Sequence, residues 1–180
     1  VILSPTLSPG WYWARVLSTT SGGQTVSNLV YFKIGTPGGL LIHSPADIVS
    51  RKLISLALGT DPTLGNSWPV GVAVEPDLPD NAITCYDTGP QADGRTHYDG
   101  SQQEHHGIQV RIRSATHPIG YAKARAIGVS LDEDIYDDVI EIDNTFYLLH
   151  CIAKRSDVLA LGKEKPPSYR SLFTINAFAS

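Results

Sequence analysis

Hydrophobic positions at helical spacing predict one helix soon after residue 41. The stripe runs from Val49 to Ala57 and also contains Leu53 and Leu56. Ser44 is a favourable N-cap residue, and Pro45 suits the first helical position behind it. Gly59 is a typical C-terminal stop, so we expect a helix over 44–58.

A second apolar stripe predicts a second helix after Thr116, with Pro118 in its first turn. Acidic residues 132–134 would oppose the negative end of the helix dipole, so the helix is expected to stop before them. The residues expected on its buried face are Ile119, Ala122, Ala126 and Val129.

Alternation at period two predicts strands. In 107–114, the isoleucine and valine side chains are expected to point inward, whereas Gln109, Arg111 and Arg113 are expected to point outward. Asp143 and Asn144 are expected at the turn of a hairpin. The runs expected as strands are 69–75, 82–87, 107–114, 139–144, 145–154 and 171–178. With two helices, they predict an α+β fold with a mostly antiparallel sheet.

The first 36 residues predict a β-hairpin arm, which weakly resembles the last hairpin of a fibronectin-III domain. Glycine and proline crowd at 35–39, so the arm is expected to span 1–36 and the main domain 37–180. Two strands cannot bury a core in water. We therefore expect Trp11, Trp13 and Phe32 to pack on the body, a neighbouring subunit or another protein.

Charge and composition narrow the possible partners. Residues 1–36 carry two bases and no acid, whereas the remainder carries 12 bases and 18 acids and so has a net charge of −6. An acidic body argues against gripping nucleic acid by its phosphates, although it could line a channel through which DNA slides. No apolar run is long enough for a membrane span, and no leader segment is apparent, so a soluble, non-secreted protein is expected. Cys85 and Cys151 are expected as small buried thiols.

The polar segment 88–104 is expected to be a long loop. Together with His105 and His106, which follow it, this segment is the strongest candidate for a metal or catalytic site. Its histidines lack metal-ligand spacing, so no cofactor is expected. A small metal-dependent hydrolase that uses this loop nevertheless stays as an alternative. A carbohydrate or cell-surface binding module that uses Trp11, Tyr12 and Trp13 is another.

Several blocks, taken in order and spacing, resemble the minor capsid and tail-terminator proteins of long-tailed bacteriophages. The resemblance extends from about residue 41 to 178, and the first 36 residues depart from it. The blocks are 79–89 (PDNAITCYDTG), 107–113 (GIQVRIR), 121–124 (YAKA), 152–156 (IAKRS), 161–162 (LG) and 172–176 (LFTIN).

This resemblance implies a non-enzymatic virion protein of the phage neck. Such a subunit would form a ring, usually of six, that caps the tail tube, stops its polymerisation and joins it to the head connector, with DNA passing through the lumen. The implied partners are further copies of the chain, the tube protein and the connector, with assembly in the host cytoplasm. A head-side stopper in the same neck is the closest alternative. The motif positions that match are Asp80, Tyr86, Asp87, Thr88, Gly89, Gln109, Arg111, Arg113 and Tyr121.

Two sets of candidate contact residues follow from the resemblance. Asp87 is expected to pair with Arg111 and Arg113 of the next subunit in the ring. The segment 89–106 is expected to touch the tube or connector, since it is long, polar and expected to be disordered without a partner. Its candidate contact residues are Gly89, Arg95, His97, Tyr98, Glu104 and His105.

Overall fold

The computed structural model describes the backbone of residues 10–14, 17–20, 23–26, 30–34, 41–65, 67–95 and 102–180, and the side chains of 41–65, 67–91 and 105–180. The chain forms two compact units that divide between Leu41 and Ile42. No helix in the described part is long and apolar enough to cross a bilayer.

The first unit contains two antiparallel strand pairs. Strand β1 (Gly10–Ala14) pairs with β4 (Val30–Ile34), and β2 (Leu17–Thr20) pairs with β3 (Gly23–Val26). Trp11 lies opposite Lys33 in this register. The inner pair, β2 with β3, lies between the two strands of the outer pair in sequence, as in one long hairpin.

The second unit contains helices α1 (Pro45–Ser55) and α2 (His117–Glu133) and one seven-stranded sheet. The order across the sheet is β5, β6, β7, β11, β9, β8, and β10 pairs with β11. All pairs are antiparallel except β5 with β6, so the predicted α+β class is confirmed. The strands are β5 (Val70–Val72), β6 (Ala82–Arg95), β7 (Gln102–Ser114), β8 (Tyr136–Ile142), β9 (Thr145–Lys154), β10 (Leu159–Lys163) and β11 (Ser171–Ala179).

Both helices cover the same face of the sheet. Ile83, Ile112 and Phe173 lie opposite one another on β6, β7 and β11 and are fully buried. Gly120 of α2 contacts Phe173 on this face, and α1 packs over β5 to β8. We call this side the helix face and the other side, which carries Gln109, the open face.

Helix α1 starts as predicted but ends earlier. The Ser44 hydroxyl accepts a hydrogen bond from the backbone N–H of Asp47 at 3.2 Å. The helix ends at Ser55, and Ala57 takes a left-handed φ of 56°. Gly59 is not the cap, because Leu56 occupies the C-cap position. A Cβ at Gly59 would instead collide with the side chain of Val70 and the carbonyl of Trp68. The glycine therefore permits close packing.

The predicted buried face of α2 is wrong. Ile119, Ala122, Ala126 and Val129 are all exposed. The helix is apolar on more than one side, so spacing alone did not choose the face that meets the sheet. The buried residues are Gly120, Ala124, Ile127, Gly128 and Leu131.

The predicted end of α2 is also wrong. The helix continues through Asp132 and Glu133. Leu131 is buried in the last turn, and the Asp132 carboxylate lies 2.7 Å from Nζ of Lys154 on β9. Tertiary packing and this ion pair offset the unfavourable interaction with the helix dipole.

Most predicted strands are confirmed, with β5 shorter than expected. Asp143 and Asn144 form a two-residue turn between β8 and β9 with φ of 48° and 61°, which matches the type I′ hairpin. Leu159–Lys163 form a further strand, β10, which is not among the runs expected as strands. This strand is exposed throughout and has no apolar alternation, so the pattern did not reveal it.

Candidate assembly surfaces

The Asp87 carboxylate caps helix α1 within its own chain. Its Oδ1 accepts a hydrogen bond from the backbone N–H of Ala46 at 2.9 Å. A helix leaves its first N–H groups without helical partners and favours negative charge at this end. Asp87 therefore anchors α1 to β6, while the rest of its side chain is exposed. Its predicted contact with a neighbouring subunit stays a prediction.

Arg113 lies on the open face, as the alternation along β7 predicted, but it is buried, so the expectation of an accessible side chain is wrong. Its residue is 2% exposed, because residues 75–80 fold over this end of β7. The guanidinium donates to the carbonyl oxygens of Pro79 at 2.7 Å and of Asp77 and Asp80 at 3.4 Å. It also lies 3.8 Å from the Glu75 carboxylate. Arg113 is therefore used inside the subunit.

Arg111 lies beside this buried group and remains partly accessible. Its Nη1 is 3.4 Å from Oε2 of Glu75, and its guanidinium lies over the ring of Tyr86 at 5.3 Å from the centroid. Burial, and then the negative charge of Glu75, raise the pKa of the Tyr86 hydroxyl. About a third of the Arg111 side chain is exposed, so its role at a subunit interface stays a prediction.

Arg170 joins the turn after β10 to the same group. Its Nε lies 2.6 Å from the Glu164 carboxylate, and its Nη1 donates to the Asp77 carbonyl at 2.6 Å. We name Arg111, Arg113, Arg170, Glu75 and Glu164 the arginine cluster. It connects β7, the segment at Glu75 and the turn after β10. Each of its arginines lies within 4.0 Å of a carboxylate of the cluster.

The segment expected as a disordered loop is instead largely a long hairpin. Strand β6 continues to Arg95 and β7 begins at Gln102, with Gln91 opposite His105 and Ala92 opposite Glu104. Residues 88–91 of this hairpin are exposed, so this part of the sequence lacks the alternation that marks half-buried strands. The register shifts between Thr88 and Gln91.

Gly107 lies at this shift, where the two strands approach closely. A Cβ there would collide with the carbonyl of Gly89 and the hydroxyl of Thr88. Of the predicted contact residues, Gly89, Arg95, Glu104 and His105 therefore lie on the two arms of one hairpin. His97 and Tyr98 lie outside the described residues.

The hairpin of β8 and β9 exposes apolar side chains on the face away from the core. Val139 lies directly opposite Leu148, and the two are 55% and 43% exposed. Phe146 continues this patch on β9, and Tyr136 at the start of β8 is 73% exposed. Contiguous apolar surface of this kind marks contact sites more often than isolated exposed residues do.

A family model described as bacteriophage tail terminator protein matches residues 52–154, more than half of the chain. The chain belongs to this family. The match begins within α1 and ends with β9, so it includes the long hairpin and the exposed β8–β9 patch. No curated protein matches the chain.

As a tail terminator, the chain is a structural protein of the phage tail and belongs to the virion. This agrees with the resemblance seen in the sequence blocks. The family match covers Asp87, Arg111, Arg113 and the long hairpin, but it assigns no contact to any one of them.

The described part of this tail terminator bears on two kinds of reactive site, a metal site and an ionised thiol. No three His, Cys, Asp or Glu side chains group as a metal site among residues 41–65, 67–91 and 105–180. Burial raises the pKa of the Cys85 thiol to about 12, with Asp87 and Asp47 adding to the shift, so the thiol stays protonated at neutral pH. His97, which lies in the loop of the hydrolase hypothesis, is outside the described residues.

The arm residues Trp11, Trp13 and Phe32 occupy described strands, but their side chains lie outside the described part. Trp13 is opposite Tyr31, and Phe32 is opposite Tyr12. Their predicted contacts with a body, neighbour or other protein stay a prediction.

Proposed function

We propose that the chain forms a purely structural ring that caps the tail tube, stops its polymerisation and joins it to the head connector. The family match over residues 52–154 supports this role. The expected ring is a hexamer of this chain. The acidic balance of the body suits a lumen through which DNA slides without being gripped.

Exposed apolar surface gives a physical reason for self-association. Ile119 and Val129 on the outer side of α2 and Val139 and Leu148 on the β8–β9 hairpin keep much of their area in water. Burial of such area stabilises an assembly by about 25 cal/mol per Å². Ring formation also requires two different faces on each subunit, and these patches lie on different elements.

The long hairpin is our candidate contact with the tube or connector. Its arms continue beyond the core strands and carry Arg95, Glu104 and His105 near their far ends. The N-terminal arm, through Trp11 and Trp13, is a candidate strand donor to a neighbour.

Deletion of the gene from the phage, followed by negative-stain electron microscopy of the lysate, tests the proposed role. Overlong or variable tails without heads are expected. Tails of normal length beside emptied heads would instead assign the protein to the head side of the neck, and normal particles would refute both roles.

A shortened hairpin tests the contact surface separately. Residues 92–104 would be replaced by Asn-Gly, since Gln91 lies opposite His105. Because the core strands are untouched, the variant should keep its unfolding temperature yet fail to restore tail length in the deleted phage. Full restoration by this variant would exclude the hairpin as the contact.

A further inference from the structure

One edge of the sheet, strand β8, is strongly acidic. Residues 132–143 contain seven acids and no base. Four of them have a partner within the chain. Asp132 contacts Lys154, and Asp138 lies 2.9 Å from Nζ of Lys52 on α1. Asp137 contacts the His150 ring, and Asp143 lies 3.5 Å from Nε2 of His43. The other three, Glu133, Asp134 and Glu141, are exposed.

This acidic edge also carries apolar surface and unused backbone groups. Tyr136 and Val139 are exposed on β8. In the described sheet β8 pairs only with β9, so its other side presents free N–H and C=O groups. We name Tyr136, Val139, Glu133 and Glu141 the acidic strand surface.

Strand β10 presents the complementary combination. All five of its residues are exposed, including Leu159 and Leu161. Lys163 ends the strand, and Lys165 follows it, also exposed. Glu164 between them does not neutralise these lysines, because it pairs with Arg170. Among the described strands β10 pairs with β11 alone, so it too has a free edge.

We propose that the acidic strand surface of one subunit binds β10, with Lys163 and Lys165, of a second copy. Apolar side chains would meet apolar side chains, acids would meet lysines, and the two free edges could continue one sheet into the next. The two surfaces are different parts of the same chain, so the contact is head-to-tail and suits a ring. In that respect the inference rests on the proposed ring.

Zero-length cross-linking tests the contact in assembled tails. Equal amounts of 15N-labelled and unlabelled chain would be added to the lysate of the gene-deleted phage, and the tails treated with a carbodiimide. Mass spectrometry should find mixed-isotope links from Lys163 or Lys165 to Glu133, Asp137 or Glu141.

The other outcomes separate the contact from the ring. Links between copies that involve only other residues would overturn this contact and leave the ring intact. Links from Glu141 to the tube or connector protein would assign the acidic surface to that partner and overturn the proposal. Absence of any link between copies would count against both the contact and the ring.

Charge reversal provides an independent test. Glu133→Lys with Glu141→Lys, and separately Lys163→Glu with Lys165→Glu, should each reduce the fraction of normal-length tails at least about tenfold, since like charges would meet. The two reversed proteins mixed together should restore capping, because each then carries the charge that the other needs. Arg51→Glu reverses a charge on the exposed side of α1, outside the proposed contact, and serves as the control. It breaks only a surface pair with Asp61 and should leave tail capping normal.

Unchanged unfolding temperatures would establish that the reversed chains are folded. If either pair of reversals caps as well as the unmodified chain, the contact is refuted. A mixture that remains as defective as its components would refute it equally.

Discussion

The Asp87 carboxylate on β6 accepts a hydrogen bond from the backbone N–H of Ala46 in the first turn of α1, at 2.9 Å. Ser44 satisfies the next N–H, that of Asp47. The start of α1 is therefore held by one local cap and one cap from a strand 41 residues away. This relationship makes Asp87 part of the fold of the subunit, whatever it also contacts in a ring.

Asp87→Ala should destabilise the domain by about 1 kcal/mol, because it leaves an N–H of the first helical turn without its acceptor. Asp87→Asn keeps an acceptor and should lose less. Urea unfolding followed by circular dichroism measures both. If Asp87→Asn is stable but fails to terminate tails, the negative charge has a second role between subunits. If both variants are as stable as the unmodified protein, Asp87 does not act as a cap of helix α1.

Arg113→Met should destabilise the domain by about 3–5 kcal/mol, because it leaves three carbonyl oxygens of residues 77–80 without their buried donor. Glu75 would keep only Arg111 as a cationic partner. Arg125→Met is the control, since Arg125 pairs with Asp157 at the surface, where both side chains are largely exposed. Its effect should be small. Chemical denaturation measures the unfolding midpoints of the two variants. Equal midpoints would contradict the buried role of Arg113.

Gly120→Ala and Gly128→Ala should have opposite effects although both lie in α2. A Cβ at Gly120 would lie 2.5 Å from Cε2 of Phe173 and 2.8 Å from Cβ of Ser114, so a loss of about 1–3 kcal/mol is expected. A Cβ at Gly128 would lie 3.7 Å from Cδ1 of Ile175, which is ordinary contact. Alanine should stabilise the helix there by up to about 1 kcal/mol. Thermal unfolding gives the sign, and a stabilised Gly120→Ala would show that α2 does not pack this closely.

Cys85 should resist thiol reagents in the folded protein, because burial raises its pKa from 9.0 to about 12 and excludes the reagent. Cys151 is partly exposed and should react faster. Titration with a coloured disulfide reagent at pH 8 should therefore show two kinetic phases, and denaturant should merge them. Cys85→Ser should remove the slow phase alone, and rapid reaction of both thiols without denaturant would contradict the burial.

The raised pKa of Cys85 also sets the sign of one pH effect. The unfolded thiol ionises near pH 9, whereas the folded thiol keeps its proton until about pH 12. The stabilising contribution is therefore complete below pH 9 and is lost as the pH rises through 12. Cys85→Ala should show a weaker decline in unfolding temperature over this range.

The sequence by itself determined the elements whose signals are local. Ser44 and Pro45 marked the start of α1, alternation over 107–114 marked the core of β7, and Asp143 with Asn144 marked the type I′ turn. The ordered blocks from about residue 41 indicated the tail-terminator family, and the family match agrees. These features depend on caps, turn dihedrals and periodicity, which act over a few residues.

Only the tertiary structure decided which side of α2 is buried, where the polar hairpin arms pair, and what surrounds Arg113. Both sides of α2 are apolar, so the choice depended on the close approach of Gly120 to Phe173. The hairpin arms carry no apolar alternation and are held by backbone pairing. The alternation along β7 predicted an outward, accessible Arg113, whereas residues 75–80 and Glu164 surround its guanidinium in the folded chain. Each of these outcomes depends on partners distant in sequence, whose positions no local pattern records.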